Sequence, residues 1–325
     1  SKHPYLCKGL IMLRALLISI FLLLSACGVD DTVQTITGKT MGTTYTVKTV
    51  GNGVSKSEIE HVLNQVNQIF STWDPNSELS LLNKKPIDQW IKVSSELYFV
   101  LSESKRIHQG TQGYFDPGIG KLIDLWGFGA VKVAHKPTRG QVEKTRQRSS
   151  IQYLQLKNGK VKKIKDIRIN LSAIAKGFGV DQVARLLNEL WIKNFLVEIG
   201  GEVIARGRKG DKEWTIGIEQ PGGAVPISIN LNNKAVATSG NYRNYFVWEG
   251  ERYTHILEPT TGLPIKNDLT SVSVLHDQTV VADAYATAMM AMGSEKATVL
   301  AQRLNLSVLL ILNERFDSKV VKINL

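Results

Sequence analysis

Asp283 and Thr287, in Ala282-Asp283-Ala284-Tyr285-Ala286-Thr287, are the pair best suited to hold a metal. At i and i+4 they face the same way on a helix. A carboxylate and a hydroxyl are hard oxygen ligands, which suit Mg²⁺ better than Zn²⁺; a buried Asp bonded to a Thr is the structural alternative. Leu171-Ser172-Ala173-Ile174-Ala175-Lys176-Gly177 reads as a strand-to-helix junction whose free N–H groups, with Lys176, would present positive potential to phosphate. A capped helix start with a solvated lysine fits the same residues. His255, in a strand just before the Pro259–Gly262 turn, can act as a base or orient a phosphate, although a lone His is more often structural. Met41-Gly42-Thr43-Thr44 lies between two strands and allows either close approach of backbone to a ligand or a simple bulge or hairpin turn. Phe115-Asp116-Pro117-Gly118 and Leu125-Trp126-Gly127-Phe128-Gly129 combine aromatic faces with flexible backbone, suiting a planar ring or a satellite core cluster equally.

Other chemistries are excluded by what the motifs lack. Gly38-Lys39-Thr40 mimics the end of a P-loop, but Val33 stands where the first glycine is required. There is no H-E-x-x-H, no G-x-S-x-G, no cysteine pair for zinc, and the six His residues have no metal-ligand spacing. Zinc and serine-hydrolase chemistry are thereby disfavoured.

The elements that must position these residues are of both kinds. Thr/Val alternation predicts strands over 32–37 and 43–50. Ile59, Val62, Leu63, Val66, Ile69 and Phe70 predict one helical face over 56–70. Helices are also expected over 94–109, 176–190, 280–292 and 295–304, with strands over 195–199, 306–312 and 319–323. From Trp214 to Leu275 short apolar segments alternate with Gly, Pro and Asn turns, which suggests antiparallel sheet. The dense run Lys160 to Lys165 reads as a hairpin edge blunted by charge. The class is mixed α+β, as one large domain or two intimately packed lobes.

Taken in order, these segments resemble the ApbE family of FAD:protein FMN transferases. The stretches that carry the resemblance are Met41-Gly42-Thr43, Ser71-Thr72-Trp73-Asp74-Pro75-Asn76-Ser77-Glu78-Leu79-Ser80, Phe115-Asp116-Pro117, Leu125–Gly129, Ser172–Gly177, Gly200-Gly201-Glu202, Thr238-Ser239-Gly240, His255-Ile256 with Pro259 and Thr261-Gly262, and Ala282-Asp283 with Ala286-Thr287. No single stretch is specific; the ordered set is. The resemblance implies an ApbE-like, T-fold-related fold over residues 36–325, with mixed sheets and packed helices. It implies an enzyme that takes FAD with Mg²⁺, transfers FMN through a phosphoester to a Ser or Thr of an acceptor protein, and releases AMP. Carried over by position, Asp283, Thr287 and the carbonyl of Ala173 would hold the metal. FAD would meet Met41, Trp73, Tyr114, Phe115, Asp116, Asn170, Lys176 and Ile256, with His255 as catalytic base or phosphate-orienting group. Asn170, Asn241 and Glu258 depart from the family, which commonly has Asp at each. Hydrolysis of FAD to FMN and AMP, and flavin binding without catalysis, are the competing functions.

The chain's start supplies an address. Residues 1–26 carry Lys2, Lys8 and Arg14 without an acid, then an apolar run from Ala15 to Leu24. That ten-residue run makes only about 15 Å of helix, half a hydrocarbon core, so the layout is that of a signal peptide and not of a span. Leu24-Ser25-Ala26-Cys27 resembles a lipobox, with Cys27 lipidated and residues 27–35 as a tether. The expected location is the periplasmic side of a bacterial membrane, the inner more than the outer, and the expected acceptors are flavin-carrying subunits of a membrane redox complex. Cys7 and Cys27 are the two cysteines, leaving none for a disulfide in the mature chain. The formal charge of +11 falls by three when residues 1–26 are removed. The Lys and Arg are dispersed, so no nucleic-acid partner is expected.

Overall fold

The computed structural model describes residues 32–51, 53–129, 133, 135–241, 245–248, 250–313 and 318–325. The signal segment and Cys27 lie outside the described residues. In chain order the elements are β1 (Val33–Thr40), β2 (Thr43–Val50), α1 (Lys56–Phe70), α2 (Glu78–Lys84), β3 (Ile91–Lys92), α3 (Ser95–Gly110), α4 (Gly120–Leu125) and α5 (Arg139–Arg146). The middle comprises β4 (Leu154–Lys157), β5 (Lys160–Lys163), α6 (Ser172–Glu189), β6 (Phe195–Ile199), β7 (Glu202–Arg206), β8 (Trp214–Ile218), β9 (Ile227–Leu231) and β10 (Ala235–Gly240). The remainder is β11 (Tyr245–Trp248), β12 (Glu251–Thr254), β13 (Leu257–Glu258), β14 (Leu263–Pro264), β15 (Leu269–His276), α7 (Thr279–Met292), α8 (Ser294–Arg303), β16 (Ser307–Asn313) and β17 (Ser318–Ile323).

One eight-stranded sheet, in the order β1-β2-β6-β7-β10-β15-β16-β17, organises the α+β fold as a single domain. Its pairs are antiparallel throughout. Successive residues of a strand point to opposite faces, and β6 shows the consequence. Phe195, Val197 and Ile199 pack with Val180, Val183 and Leu187 of α6 and Ile59 and Leu63 of α1. Leu196 turns the other way, into a cluster with Trp214, Ile218 and Leu231 of the β8–β9 hairpin. The helices thus cover one face and the hairpin part of the other. The helical side holds the largest core, where Ile174 and Phe178 of α6 meet Val280, Met289 and Met290 of α7 and Leu97 and Leu101 of α3.

Local chemistry sets the element ends. α1 starts at a capping box, the Glu58 amide donating to Ser55 Oγ at 3.3 Å and the Ser55 amide to Glu58 Oε2 at 2.8 Å. β1 and β2 join at Met41-Gly42, both with positive φ (48° and 73°), as a two-residue hairpin between twisted strands requires.

Four expectations are corrected. β1 begins at Val33, paired with Val50, so the tether does not extend to Thr35. α6 starts at Ser172, with no strand leading directly into it, so Lys176 sits inside the helix and not at a junction. β5 is the central strand of a β3-β5-β4 sheet and not an edge. Its Lys163 is buried, its ammonium donating at 2.8 Å to the Asn83 carbonyl in the last turn of α2, where carbonyls are unpaired. His255 lies in a bend between β12 and β13 and not in a strand.

Candidate active site

A cavity of about 980 Å³ opens at the sheet end where the β1–β2 turn, the Gly200-Gly201 turn and the end of β10 meet. That is near the upper limit of roughly 1,000 Å³ for small-molecule and cofactor pockets. Its walls include Met41, Tyr114, Phe115, Asp116, Asn170, Ala173, Lys176, Glu202, Ser239, His255, Ile256, Asp283 and Thr287.

The start of α6 is built by Asn170. Its Oδ1 accepts the Ser172 amide at 2.9 Å and its own amide donates to the Pro117 carbonyl at 2.8 Å. Asn performs this capping as well as Asp, so the departure at position 170 removes a charge and keeps the local fold. Lys176 lies in the next turn. Its ammonium pairs with the carboxylate of Glu202, the first residue of β7, which is 1% exposed.

Asp283 on α7 is buried at the cavity wall, 3% exposed, and its Oδ2 accepts the Gly177 amide at 2.9 Å. A Cβ at position 177 would stand 2.5 Å from the Thr279 carbonyl oxygen and 2.8 Å from Asp283 Cβ, so only glycine permits this approach of α6 and α7. Burial raises the Asp283 carboxyl, with Lys176 pulling against it. Burial first, then the charge of Asp283, pushes Glu202 up to about 8, again opposed by Lys176. Burial alone would lower Lys176, but Glu202 and Asp283 outweigh it and hold the ammonium above the usual lysine range. Two buried carboxyl groups therefore share one ammonium, and their ionised forms leave a negative surplus that a cation would relieve.

Thr287, one turn along α7, reaches the same cavity with its hydroxyl 3.2 Å from that of Ser239. Ala173, in the first turn of α6, lines the same cavity. Carboxylate, hydroxyl and peptide carbonyl form a hard-oxygen set suited to Mg²⁺. Three protein oxygens would leave positions of an octahedral Mg²⁺ for substrate oxygens or water.

Asp116 is committed to the loop it sits in. Its Oδ1 accepts the amides of Gly118 at 2.8 Å and Ile151 at 2.7 Å, and its Oδ2 lies 3.4 Å from His108 Nδ1. Phe115 is buried behind it, and the Tyr114 hydroxyl accepts from Lys296. The aromatic motif divides. Trp126 is buried in a satellite cluster with Leu122, Val142, Tyr253 and Leu257, donating from Nε1 to the Gly262 carbonyl at 2.9 Å, and Phe128, stacked on it at 6.5 Å, carries that cluster to the cavity wall. His255 is exposed on the wall beside buried Ile256.

Trp73 is the sequence-derived site residue that is not on the cavity wall; it stands 70% exposed after α1. In the other direction, the roles of Glu202 and Ser239 were not read from the sequence. Gly200-Gly201 was the available signal for Glu202, since two positive-φ glycines (58° and 103°) end β6 and aim β7 back at α6.

A model of the ApbE family matches residues 41–310. The FAD:protein FMN transferase of Haemophilus influenzae is 38% identical over 314 residues, 91% of either chain. That of Vibrio cholerae is 38% identical over 302 residues, 89% of this chain and 90% of its own. The solved structure of the flavin transferase ApbE from Vibrio cholerae superposes with a TM-score of 0.83 at 35% identity, covering 90% of this chain and 97% of that one. The apo flavinyl transferase ApbE of Pseudomonas stutzeri gives 0.82 at 32% identity, covering 90% and 94%.

Proposed function

The chain belongs to the ApbE family, and from that membership we infer that it is an FAD:protein FMN transferase, acting on FAD and on a hydroxyl of an acceptor protein. The observation that carries this for the present residues is the convergence of Asp283, Thr287, Ala173 and Lys176 on one cavity. In the reaction, the acceptor Ser or Thr oxygen attacks the FMN-side phosphorus, the bond to the AMP phosphate breaks, and AMP leaves. The hydroxyl proton goes to a base, the role we assign to His255, and then to solvent.

The donor set on α6 and α7 fits Mg²⁺, with Asp283, Thr287 and the Ala173 carbonyl as its holders. Such an ion, when bound, would neutralise charge developing on the pyrophosphate. Lys176 adds a fixed positive charge held in place by Glu202, and the Asp116-braced loop with Tyr114 and Phe115 forms the wall beside it. The protein's share of catalysis is position and electrostatics in a partly enclosed site.

We further propose that Cys27 carries a lipid, that the enzyme faces the periplasm, and that its acceptors are flavin-carrying subunits of a membrane redox complex. Incubating the enzyme with FAD, Mg²⁺ and such a subunit tests the function. The expected result is a covalently fluorescent acceptor and one AMP per flavin attached; free FMN with an unlabelled acceptor would instead indicate hydrolysis.

A further inference from the structure

The cavity extends beyond the nucleotide end. From the Gly200-Gly201 turn it continues onto the hairpin-covered face of the sheet, where Thr44, Thr46 and Lys48 of β2 and Leu196 and Glu198 of β6 form a floor. These are alternate residues in cross-strand register, Thr46 opposite Glu198 and Lys48 opposite Leu196, as a sheet face must present. β8 contributes differently: Thr215, Ile216, Gly217 and Ile218 all line the cavity, followed by Glu219. A run of both parities marks a strand edge, because a face offers only every second residue.

β8 pairs with β9 and, among the described residues, with no second strand. In an antiparallel pair, alternate residues turn their N–H and C=O away from the partner. β8 therefore holds a row of outward donors and acceptors along the cavity. Natural edges are blunted with lysine or proline, but Trp214-Thr215-Ile216-Gly217-Ile218 contains neither. An unblunted edge inside a cavity is suited to pairing with another chain.

We propose that this arm seats the acceptor polypeptide as an extended strand against the β8 edge, bringing its hydroxyl to the phosphate end at Lys176 and Asp283. The docking mode presupposes the transferase activity inferred above. A polypeptide is the occupant because only it repeats donors and acceptors at the strand spacing of about 3.3 Å per residue. The polar floor of Thr44, Thr46, Lys48 and Glu198 suits the side chains on either side of a Ser or Thr.

Proline at 216 and at 217, made separately, tests this. Of two neighbouring amides one faces β9 and the other the cavity, so one variant keeps its hairpin and loses an outward donor. For that variant we expect melting within a few degrees of the wild type, FAD affinity within about twofold, and an acceptor KM raised about three- to tenfold, the loss of one hydrogen bond. In parallel, hydrogen exchange is followed on FAD-loaded wild type with the redox-subunit domain whose target Thr is replaced by Ala. Protection across Thr215–Glu219 is expected. An unchanged acceptor KM in both variants, or a bound acceptor that leaves these amides unprotected, overturns the docking mode. The same holds if the edge proves to pair two copies of the enzyme, seen as a proline-sensitive dimer with normal acceptor KM. A wild type that binds FAD but transfers no FMN to the unaltered acceptor sinks the transferase function itself.

Discussion

Asp283 is assigned two duties, and one substitution separates them. Its Oδ2 anchors the Gly177 amide, and its charge completes the oxygen set with Thr287 and Ala173. Asp283→Asn keeps an acceptor for that amide while removing the charge. The variant is expected to melt within a few degrees of the wild type yet lose at least about 100-fold in FMN transfer, because charge neutralisation at the pyrophosphate is lost. Isothermal titration with Mg²⁺ in the presence of FAD reads the same loss without turnover. His255 differs, being exposed on the cavity wall. His255→Ala should lower kcat by about 10²-fold or more while FAD affinity stays within a few-fold, as expected of a proton acceptor; an unchanged kcat removes it from the mechanism.

At the scale of elements, the close approach of α6 and α7 carries the site. Gly177→Ala would push Cβ against the Thr279 carbonyl and Asp283 Cβ. A destabilisation of about 1–3 kcal/mol is expected by urea denaturation, together with weaker Mg²⁺ retention, because both helices carry oxygen donors. α1 was legible in the sequence because Ile59, Leu63, Val66 and Phe70 recur at helical spacing and all are buried. The start of α6 was not, because its N-cap position is Leu171, which has no capping side chain, and the work is done by Asn170 one residue earlier. Asp283 and Thr287 could be paired from their i,i+4 spacing. Glu202 could not be assigned its role, since its pairing with Lys176 depends on the β6–β7 turn folding back onto α6. The Lys160–Lys165 run misled because local charge does not reveal that β3 pairs with β5.

Across the whole molecule, one sheet separates two kinds of surface that meet at one end. Helices bearing the oxygen donors and Lys176 cover one face, and the β8 edge overhangs the other. A transferase needs such a meeting of a donor arm with an acceptor arm. The proposed lipid on Cys27 places that meeting at a membrane surface. Cys27→Ser, close in size but without the thiol, is therefore expected to abolish incorporation of labelled fatty acid into the enzyme, with FMN transfer in solution unchanged. Above all, the proposed function requires this cavity to move FMN from FAD onto a protein hydroxyl. Its most direct test is intact-mass spectrometry of the purified redox subunit after incubation with the enzyme, FAD and Mg²⁺. The expected product is an acceptor heavier by one FMN less one water, with the adduct absent when Asp283→Asn replaces the wild type. An acceptor of unchanged mass while FAD is consumed to FMN and AMP would contradict it.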